Sequence, residues 1–250
     1  MTDEILKRVF QKGHTKSLKV VDLFSGCGGI SLGFKLAGFE IKGMVDFDQD
    51  SLLTAQKNNI SKNTLNIDLY KKDWMDELFH HIPPNEIDVV VGGPPCQGFS
   101  LTGPRNFDDK RNMLYKALFD LVKETKPKAF LIENVKGMAT LYKGLIKKEI
   151  IEKFSDIGYL VNAKILNSKD FGVPQSRERL FYVGLQNRIF EFPEPLFNSS
   201  NYINCKDAID DLPSLSDLTE KNVYIKNENS LYQTLIKDGS KTLTNHQPTR

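Results

Sequence analysis

The chain has 250 residues, of which 40% are hydrophobic and 26% charged, and its formal net charge is +2. This length suits one large α/β domain with an appendage, and the composition is that of an ordinary soluble protein. Three cysteines without CxxC spacing exclude a disulfide scaffold and offer no zinc site. No apolar run approaches the length of a membrane span. We therefore expect a cytoplasmic protein with no membrane partner and no metal.

The first motif is a strand that runs into a glycine-rich turn. Residues 1–17 are polar and predict only a short arm. Residues 18–24, LKVVDLF, predict the first strand, and the turn SGCGG precedes a segment with apolar residues at helical spacing. A strand, a glycine turn and a helix together bring backbone N–H groups up to a nucleotide-like ligand.

The next two predicted strands are each followed by acidic residues. Strand two, residues 40–45, ends at Asp46, where a carboxylate is expected to bind ribose hydroxyls. The alternative is that Asp46 caps the helix that follows. Strand three is predicted at residues 65–69. After it, Asp73 could meet an adenine amino group and Trp74 could flank the ring, although a core role for Trp74 is a serious alternative.

A cysteine follows the most strand-like segment of the chain, residues 88–100, DVVVGGPPCQGFS. Three consecutive valines predict a strand buried on both faces, and two glycines and two prolines end it and stiffen the loop. Cys96 then stands at the carboxyl end of a strand, where open α/β sheets bind ligands. A lone cysteine is more often an inert buried residue. Because a core position needs neither glycines nor prolines, we predict that Cys96 is a nucleophile.

A basic stretch and a second acidic candidate follow. Residues 101–148 carry 11 Lys and Arg against 5 Asp and Glu, which could attract phosphates or simply form a solvated helix face. A helix is predicted at residues 113–125 and strand five at residues 128–133. Glu133 lies at the carboxyl end of that strand, where a carboxylate is costly unless it is hydrogen-bonded or used. It is therefore a candidate acid, and the alternative is a structural carboxylate.

Two further strands, residues 159–166 and 179–185, are predicted to be antiparallel. Gln175, Arg177 and Arg179 occupy every second position from the connection between these strands into the second strand. All three would therefore point to one face of an extended segment. Two guanidinium groups there could orient a base and stabilise negative charge. The alternative is that these arginines are ordinary surface residues.

From these patterns we predict three regions. Residues 1–17 form an N-terminal arm, residues 18–190 a catalytic and cofactor-binding domain, and residues 191–250 a loop-rich extension. The extension contains a short predicted helix and Cys205, which we interpret as structural.

The motifs DLFSGCGG, GGPPCQGFS, ENV and QSRER, in this order and spacing, resemble those of the DNA cytosine-C5 methyltransferase family. The resemblance covers residues 18–185. It implies an α/β fold with a doubly wound, mostly parallel sheet of the S-adenosylmethionine-dependent methyltransferase type and a C-terminal antiparallel strand pair. It also implies S-adenosyl-L-methionine as cofactor, S-adenosyl-L-homocysteine as product and duplex DNA as partner.

The same resemblance assigns the site residues. Cofactor-binding positions would be Phe24, Ser25, Gly26, Cys27, Gly28, Gly29, Ile30, Asp46, Phe47, Asp73, Trp74, Gly93, Pro95 and Leu114. The catalytic group would be Cys96, Glu133, Arg177 and Arg179, and DNA contacts would come from Gln97, Ser100, Arg105 and Gln175.

The implied reaction is methyl transfer to C5 of a flipped cytosine, with Cys96 adding at C6, in a restriction–modification system. Two alternatives remain: methylation of RNA cytosine by the same chemistry, and a non-catalytic DNA-binding subunit. A Rossmann dehydrogenase is disfavoured by the glycine spacing. Family members continue into a target recognition region that we do not find before residue 250. We therefore expect either a truncated chain or the larger subunit of a split enzyme, completed by a C-terminal region or subunit.

Overall fold

The structure is a computed structural model that describes residues 17–95, 113–140, 144–212 and 230–237. Four predicted site residues, Cys96, Gln97, Ser100 and Arg105, lie outside the described residues, as does the side chain of Leu114.

Seven strands form one sheet in the order β3-β2-β1-β4-β5-β7-β6. They are β1 (Lys19–Leu23), β2 (Glu40–Asp46), β3 (Thr64–Asn66), β4 (Val89–Gly92), β5 (Ala129–Val135), β6 (Leu160–Asn167) and β7 (Glu178–Leu185). The first five strands pair in parallel, and β7 runs antiparallel to β5. The predicted fold class is confirmed, including the antiparallel strands at the C-terminal side of the sheet.

The α-helices of the described residues are α1 (Gly29–Leu36), α2 (Gln49–Lys57), α3 (Trp74–His81), α4 (Met113–Thr125), α5 (Leu145–Asp156), α6 (Cys205–Ile209) and α7 (Leu231–Lys237). The helix predicted at residues 113–125 is confirmed to the residue. In contrast, β3 is shorter than the predicted 65–69, because the chain turns at Asp68, whose side chain accepts a hydrogen bond from the Tyr70 N–H at 3.0 Å.

The valine run of β4 is buried from both sides of the sheet. Val89 and Val91 pack in one cluster with residues of α1, whereas Val90 belongs to the main core formed with α3, α4 and α5. In that main core the rings of Phe130 and Phe154 stack with their centroids 4.0 Å apart. This two-sided burial explains why the strand reads as a continuous apolar run rather than an alternating one.

The chain divides into two compact units. The sheet unit contains the described residues up to 165 and residues 179–192, with the main core. The second unit contains residues 166–178 and the described residues from 193 onward. Its own apolar cluster joins Phe197 and Ile203 to α7. Gln175 and Arg177 therefore belong to the second unit, and Glu133 and Arg179 to the sheet unit.

Candidate active site

The glycine-rich turn after β1 has a backbone that few other sequences could adopt. Phe24 has a φ of 61°, a backbone conformation that is uncommon for a residue other than glycine. Residues held in such conformations cluster at functional sites. Gly28 has a φ of 89°, and a Cβ there would lie 2.7 Å from the Met44 methyl group. Glycine is thus required twice over at position 28, by its dihedral angle and by its packing.

Asp46 fastens this turn to the end of β2. Its Oδ2 accepts a hydrogen bond from the Gly26 N–H at 2.8 Å, and its Oδ1 accepts one from the Asp48 N–H at 2.9 Å. Helix α2 is capped by Asp48, whose side chain accepts from the Asp50 N–H at 3.2 Å. The alternative that Asp46 is the helix cap is therefore wrong.

A cavity of about 240 Å³ lies at the carboxyl ends of the parallel strands. It gathers five of the residues predicted to bind the cofactor. Phe47 is 77% exposed, so an aromatic face of this size is available to a ligand. The lining residues are Phe24, Asp46, Phe47, Ile67, Asp68, Leu69, Tyr70, Gly93 and Pro95.

Four of these lining residues, Ile67, Asp68, Leu69 and Tyr70, were missed by the sequence analysis. They follow β3 directly, and Tyr70 is 51% exposed. The signal that could have found them is the one that found Asp46: an acidic residue just past the end of a parallel strand. Extending the predicted strand to residue 69 concealed the turn at Asp68.

Asp73 and Trp74 do not line this cavity. Trp74 is the first residue of α3, is 7% exposed and packs in the main core with residues such as Leu78. The structure supports the core role for Trp74, because its side chain is buried in the main core. The acid and the second aromatic ring that line the cavity are Asp68 and Tyr70.

Glu133 and Arg179 meet beside the loop that follows β4. The antiparallel register places Arg179 opposite Val135. The Arg179 Nε lies 3.0 Å from the Glu133 Oε1, and both side chains are only partly exposed. The other carboxylate oxygen lies 3.3 Å from where a Cβ of Gly93 would stand. A carboxylate, a guanidinium and the glycine loop that leads to Cys96 are thus brought together.

Gln175 and Arg177 are held by local backbone contacts in the second unit. The Gln175 carbonyl accepts from the Ser168 Oγ at 2.8 Å, and the Arg177 N–H donates to the Asn167 Oδ1 at 3.0 Å. Because β7 begins at Glu178, only Arg179 of the three predicted residues lies in the strand. The predicted alternation of all three along one extended face is therefore incorrect at Gln175, which lies in a bend.

One acid is buried beneath the glycine turn. The Asp22 side chain is fully buried in β1, and its Oδ2 accepts a hydrogen bond from the Ser31 Oγ at 2.6 Å. Among the described residues its Oδ1 has no hydrogen-bond partner. Burial raises the pKa of Asp22 to about 7, the Ser31 contact lowers it in part, and the charge of Asp46 raises it further. This carboxyl joins β1 to the first turn of α1.

Asp22→Asn is expected to make the protein progressively more stable than the wild type as pH rises from about 4 to about 7. The folded-state pKa of Asp22 lies above that of the unfolded chain, so unfolding releases a proton in this window, and the wild type loses stability as pH rises. Thermal melts across the window measure the difference. Asp48→Asn is the matched control, because hydrogen bonding from Ser51 lowers the pKa of Asp48, so its effect on stability changes only below about pH 4 and should be constant across this window. A pH-independent difference for Asp22→Asn would contradict the prediction.

Within residues 17–95, 113–140, 144–212 and 230–237, no group of three or more His, Cys, Asp or Glu side chains could hold a metal ion. Across the same ranges, no helix has both the length and the apolar character needed to cross a membrane.

A glycine turn, an acidic residue at the end of β2 and a cavity at the carboxyl ends of the parallel strands are features of nucleotide-binding doubly wound α/β folds. The sheet, with its antiparallel strands at the C-terminal side, is that of the S-adenosylmethionine-dependent methyltransferases. The chain belongs to the C-5 cytosine-specific DNA methylase family, whose sequence model matches residues 18–248. This match extends beyond residue 185, where the motif resemblance ends.

Three comparisons give the scale of the likeness. The chain is 43% identical to the Type II methyltransferase M1.HphI of Haemophilus parahaemolyticus, over 81% of this chain and 55% of that protein. It is 37% identical to the Type II methyltransferase M.DdeI of Desulfomicrobium norvegicum, over 92% and 57%. A crystal structure described as a DNA modification methyltransferase encoded within a prophage (E. coli) superposes with a TM-score of 0.65 at 33% identity, covering 83% and 57%. The chain thus spans about half the length of the curated relatives it matches.

Proposed function

We propose that this chain is the cofactor-binding and catalytic part of an enzyme that methylates C5 of cytosine in duplex DNA, with S-adenosyl-L-methionine as methyl donor and S-adenosyl-L-homocysteine as product. The observation that carries the proposal is the shared loop. The same glycine–proline segment lines the cavity through Gly93 and Pro95, lies against the Glu133 carboxylate and leads to Cys96.

The cavity suits a nucleoside by the chemistry of its side chains. Asp46 would accept hydrogen bonds from the ribose hydroxyls, and Asp68 would accept from the exocyclic amine of adenine. Phe47 and Tyr70 offer aromatic faces to the adenine ring. The glycine turn, from Phe24 to Ile30, would present backbone N–H groups, and Leu114 would contact the methionine side. When bound, S-adenosylmethionine supplies an electrophilic methyl group.

Asp46→Ala should weaken cofactor binding by about 1.5–3 kcal/mol, the range for hydrogen bonds to a charged group. The reason is twofold: the ribose loses its acceptor, and the Gly26 N–H loses the bond that fastens the glycine turn. Calorimetric titration with S-adenosylmethionine measures the change. Asp48→Ala, which removes a helix cap outside the cavity, should lower stability and leave this affinity unchanged. Equal affinities for Asp46→Ala and the wild type would contradict the ribose assignment.

The reaction begins at the thiol, because C5 of cytosine is too weak a nucleophile to take a methyl group unaided. The Cys96 thiolate adds to C6, which makes C5 an enamine carbon able to attack. Cysteine suits the step, since a few per cent of a free thiol is ionised near neutral pH and nearby cations raise that fraction. After the methyl group is transferred, loss of the C5 proton and expulsion of Cys96 restore the ring. The base that removes this proton is not assigned.

Glu133 and the arginines would act on the rest of the ring. Protonated Glu133 would donate to N3 and accept from the exocyclic amine, which offsets the charge that builds on the ring. Arg179 would orient this carboxyl through the 3.0 Å contact between its Nε and the Glu133 Oε1. By family resemblance, Arg177 would hold O2 of the base and favour the thiolate. Extruding the cytosine from the duplex would cost roughly a few kcal/mol.

Sequence recognition is proposed to lie mainly in a C-terminal region or subunit, since the relatives that match are about twice as long. Gln97, Ser100, Arg105 and Gln175 would contact DNA near the flipped base, and the basic stretch after Cys96 would meet phosphates. Phosphate contacts position a protein but carry no sequence information directly. The relatives' Type II names favour a role in a restriction–modification system.

The test is a methyl-transfer assay on duplex DNA and on tRNA. It uses the 250-residue chain alone and with a C-terminal recognition polypeptide added in trans. We expect 5-methylcytosine in the duplex only, sequence-specific and dependent on the added polypeptide. Methylation of tRNA alone would favour the RNA alternative. No methyl transfer to either substrate with the polypeptide present would favour a non-catalytic subunit. Specific methylation by the chain alone would show that recognition lies within residues 186–250.

A further inference from the structure

A buried asparagine follows Glu133 on β5. Asn134 is 4% exposed, and its Nδ2 donates a hydrogen bond to the Pro94 carbonyl at 3.1 Å. Its Oδ1 accepts from the Val135 N–H at 2.8 Å, so the amide orientation is fixed by a bond at each end. The side chain thus ties the end of β5 to the loop after β4.

The chemistry of that loop explains why a donor is needed there. Pairing between β4 and β5 extends to Gly92 and Ile132. Beyond it, Pro94 and Pro95 have no backbone N–H, so they can be held through hydrogen bonds only at their carbonyl oxygens. A donor side chain on β5 meets this need. Aspartate has the same shape as asparagine, but it would present an oxygen to the Pro94 carbonyl.

We propose that Asn134 is a positioning residue that fixes the Pro94–Pro95 segment and thereby the thiol of Cys96 at the reacting base. The proposal rests on the proposed function. Cys96 follows Pro94 by two residues, and the intervening residue is a proline, so little backbone freedom separates the anchored carbonyl from the nucleophile. Adjacent residues of β5 would then have separate tasks: Glu133 acts on the base, and Asn134 acts through the loop.

Losing this bond should lower turnover more than it weakens cofactor binding. A misplacement of about 1 Å at a reacting group can lower the rate by about 100-fold. We therefore expect Asn134→Asp, in the enzyme with its recognition region, to lower kcat by about 10- to 100-fold. The KM for S-adenosylmethionine should change less than kcat, because Pro95 is the one residue of the anchored segment that lines the cavity, whereas the thiol acts in the chemical step.

The chain contains a matched control. Asn162 makes the same two kinds of bond, with its Oδ1 accepting from the Ala163 N–H at 2.8 Å and its Nδ2 donating to the Phe190 carbonyl at 2.9 Å. Asn162→Asp should therefore lower the melting temperature through the same change of donor to acceptor, while kcat stays at the wild-type value. If Asn134→Asp does not fold, Asn134→Ser replaces it, because its hydroxyl is too short to reach the Pro94 carbonyl.

A second readout separates this proposal from the proposed function. The rate at which iodoacetamide alkylates Cys96, followed by peptide mass spectrometry, reports the surroundings of the thiol without methyl transfer. We expect this rate to change in Asn134→Asp and not in Asn162→Asp. A wild type that does not methylate would overturn the proposed function, whereas the alkylation comparison would still test the anchor. Wild-type kcat in Asn134→Asp, or an alkylation rate equal to that of Asn162→Asp, would overturn the positioning role.

Discussion

Cys96→Ser, in the enzyme with its recognition region, is expected to abolish methyl transfer while binding of S-adenosylmethionine persists. A serine hydroxyl is ionised far less than a thiol near neutral pH, so the addition at C6 that activates C5 would fail. The cofactor would still bind, because the assigned binding groups lie on the strand ends and the glycine turn. Radiolabelled methyl transfer and calorimetric titration measure the two effects separately.

The controls are the other two cysteines. Cys27 lies in the glycine turn and Cys205 begins α6, and both are exposed free thiols. Cys27→Ser and Cys205→Ser should each keep turnover, since neither follows a strand in a proline-stiffened loop. If Cys96→Ser keeps activity and one of the two control variants is inactive, the cysteine replaced in that control is the nucleophile.

Glu133→Gln should lower turnover by a factor of about 100 or more, as loss of a general acid typically does. The amide keeps the shape of the carboxyl but cannot supply a carboxylic proton to N3. Because the Glu133–Arg179 pair is partly exposed, the melting temperature should change little. Single-turnover kinetics with duplex DNA at a saturating concentration would isolate the chemical step.

Glu152→Gln is the matched control for charge removal, because Glu152 forms an exposed ion pair with Lys148 on α5 at 3.4 Å. It should leave both turnover and melting temperature nearly unchanged. If Glu133→Gln instead melts far below the wild type and keeps its turnover, then Glu133 is a structural carboxylate.

Much of the fold follows from local patterns in the sequence. The three valines of β4 predict a strand buried on both faces, and the structure places Val89 and Val90 in clusters on opposite sides of the sheet. The apolar spacing and the following proline define α4. Asp46 and Glu133 are found as acids at or near strand ends because the strands themselves are recognisable, although β5 continues to Val135.

Other parts of the site depend on tertiary placement. Trp74 has the amphipathic character of a ligand contact, yet in the folded chain it packs in the main core at the start of α3. Asp68 and Tyr70 reach the cavity through a turn held by a side-chain hydrogen bond, which hydrophobic periodicity does not reveal. The hydrogen bond between Asp46 and the Gly26 N–H joins residues of two different strand ends. Which residues form such a bond depends on the order of the strands in the sheet, so the spacing of residues along the sequence does not reveal it.

The central claim is that Cys96 attacks cytosine before C5 receives a methyl group. The measurement that tests it most directly is mass spectrometry of the adduct formed with a target duplex containing 5-fluorocytosine, whose fluorine blocks the final elimination. We predict one covalent peptide, which contains Cys96 and carries a methylated 5-fluorocytosine nucleotide. An adduct on Cys27 or Cys205, or methylation of an unsubstituted duplex without any trapped adduct on the fluorinated one, would contradict it.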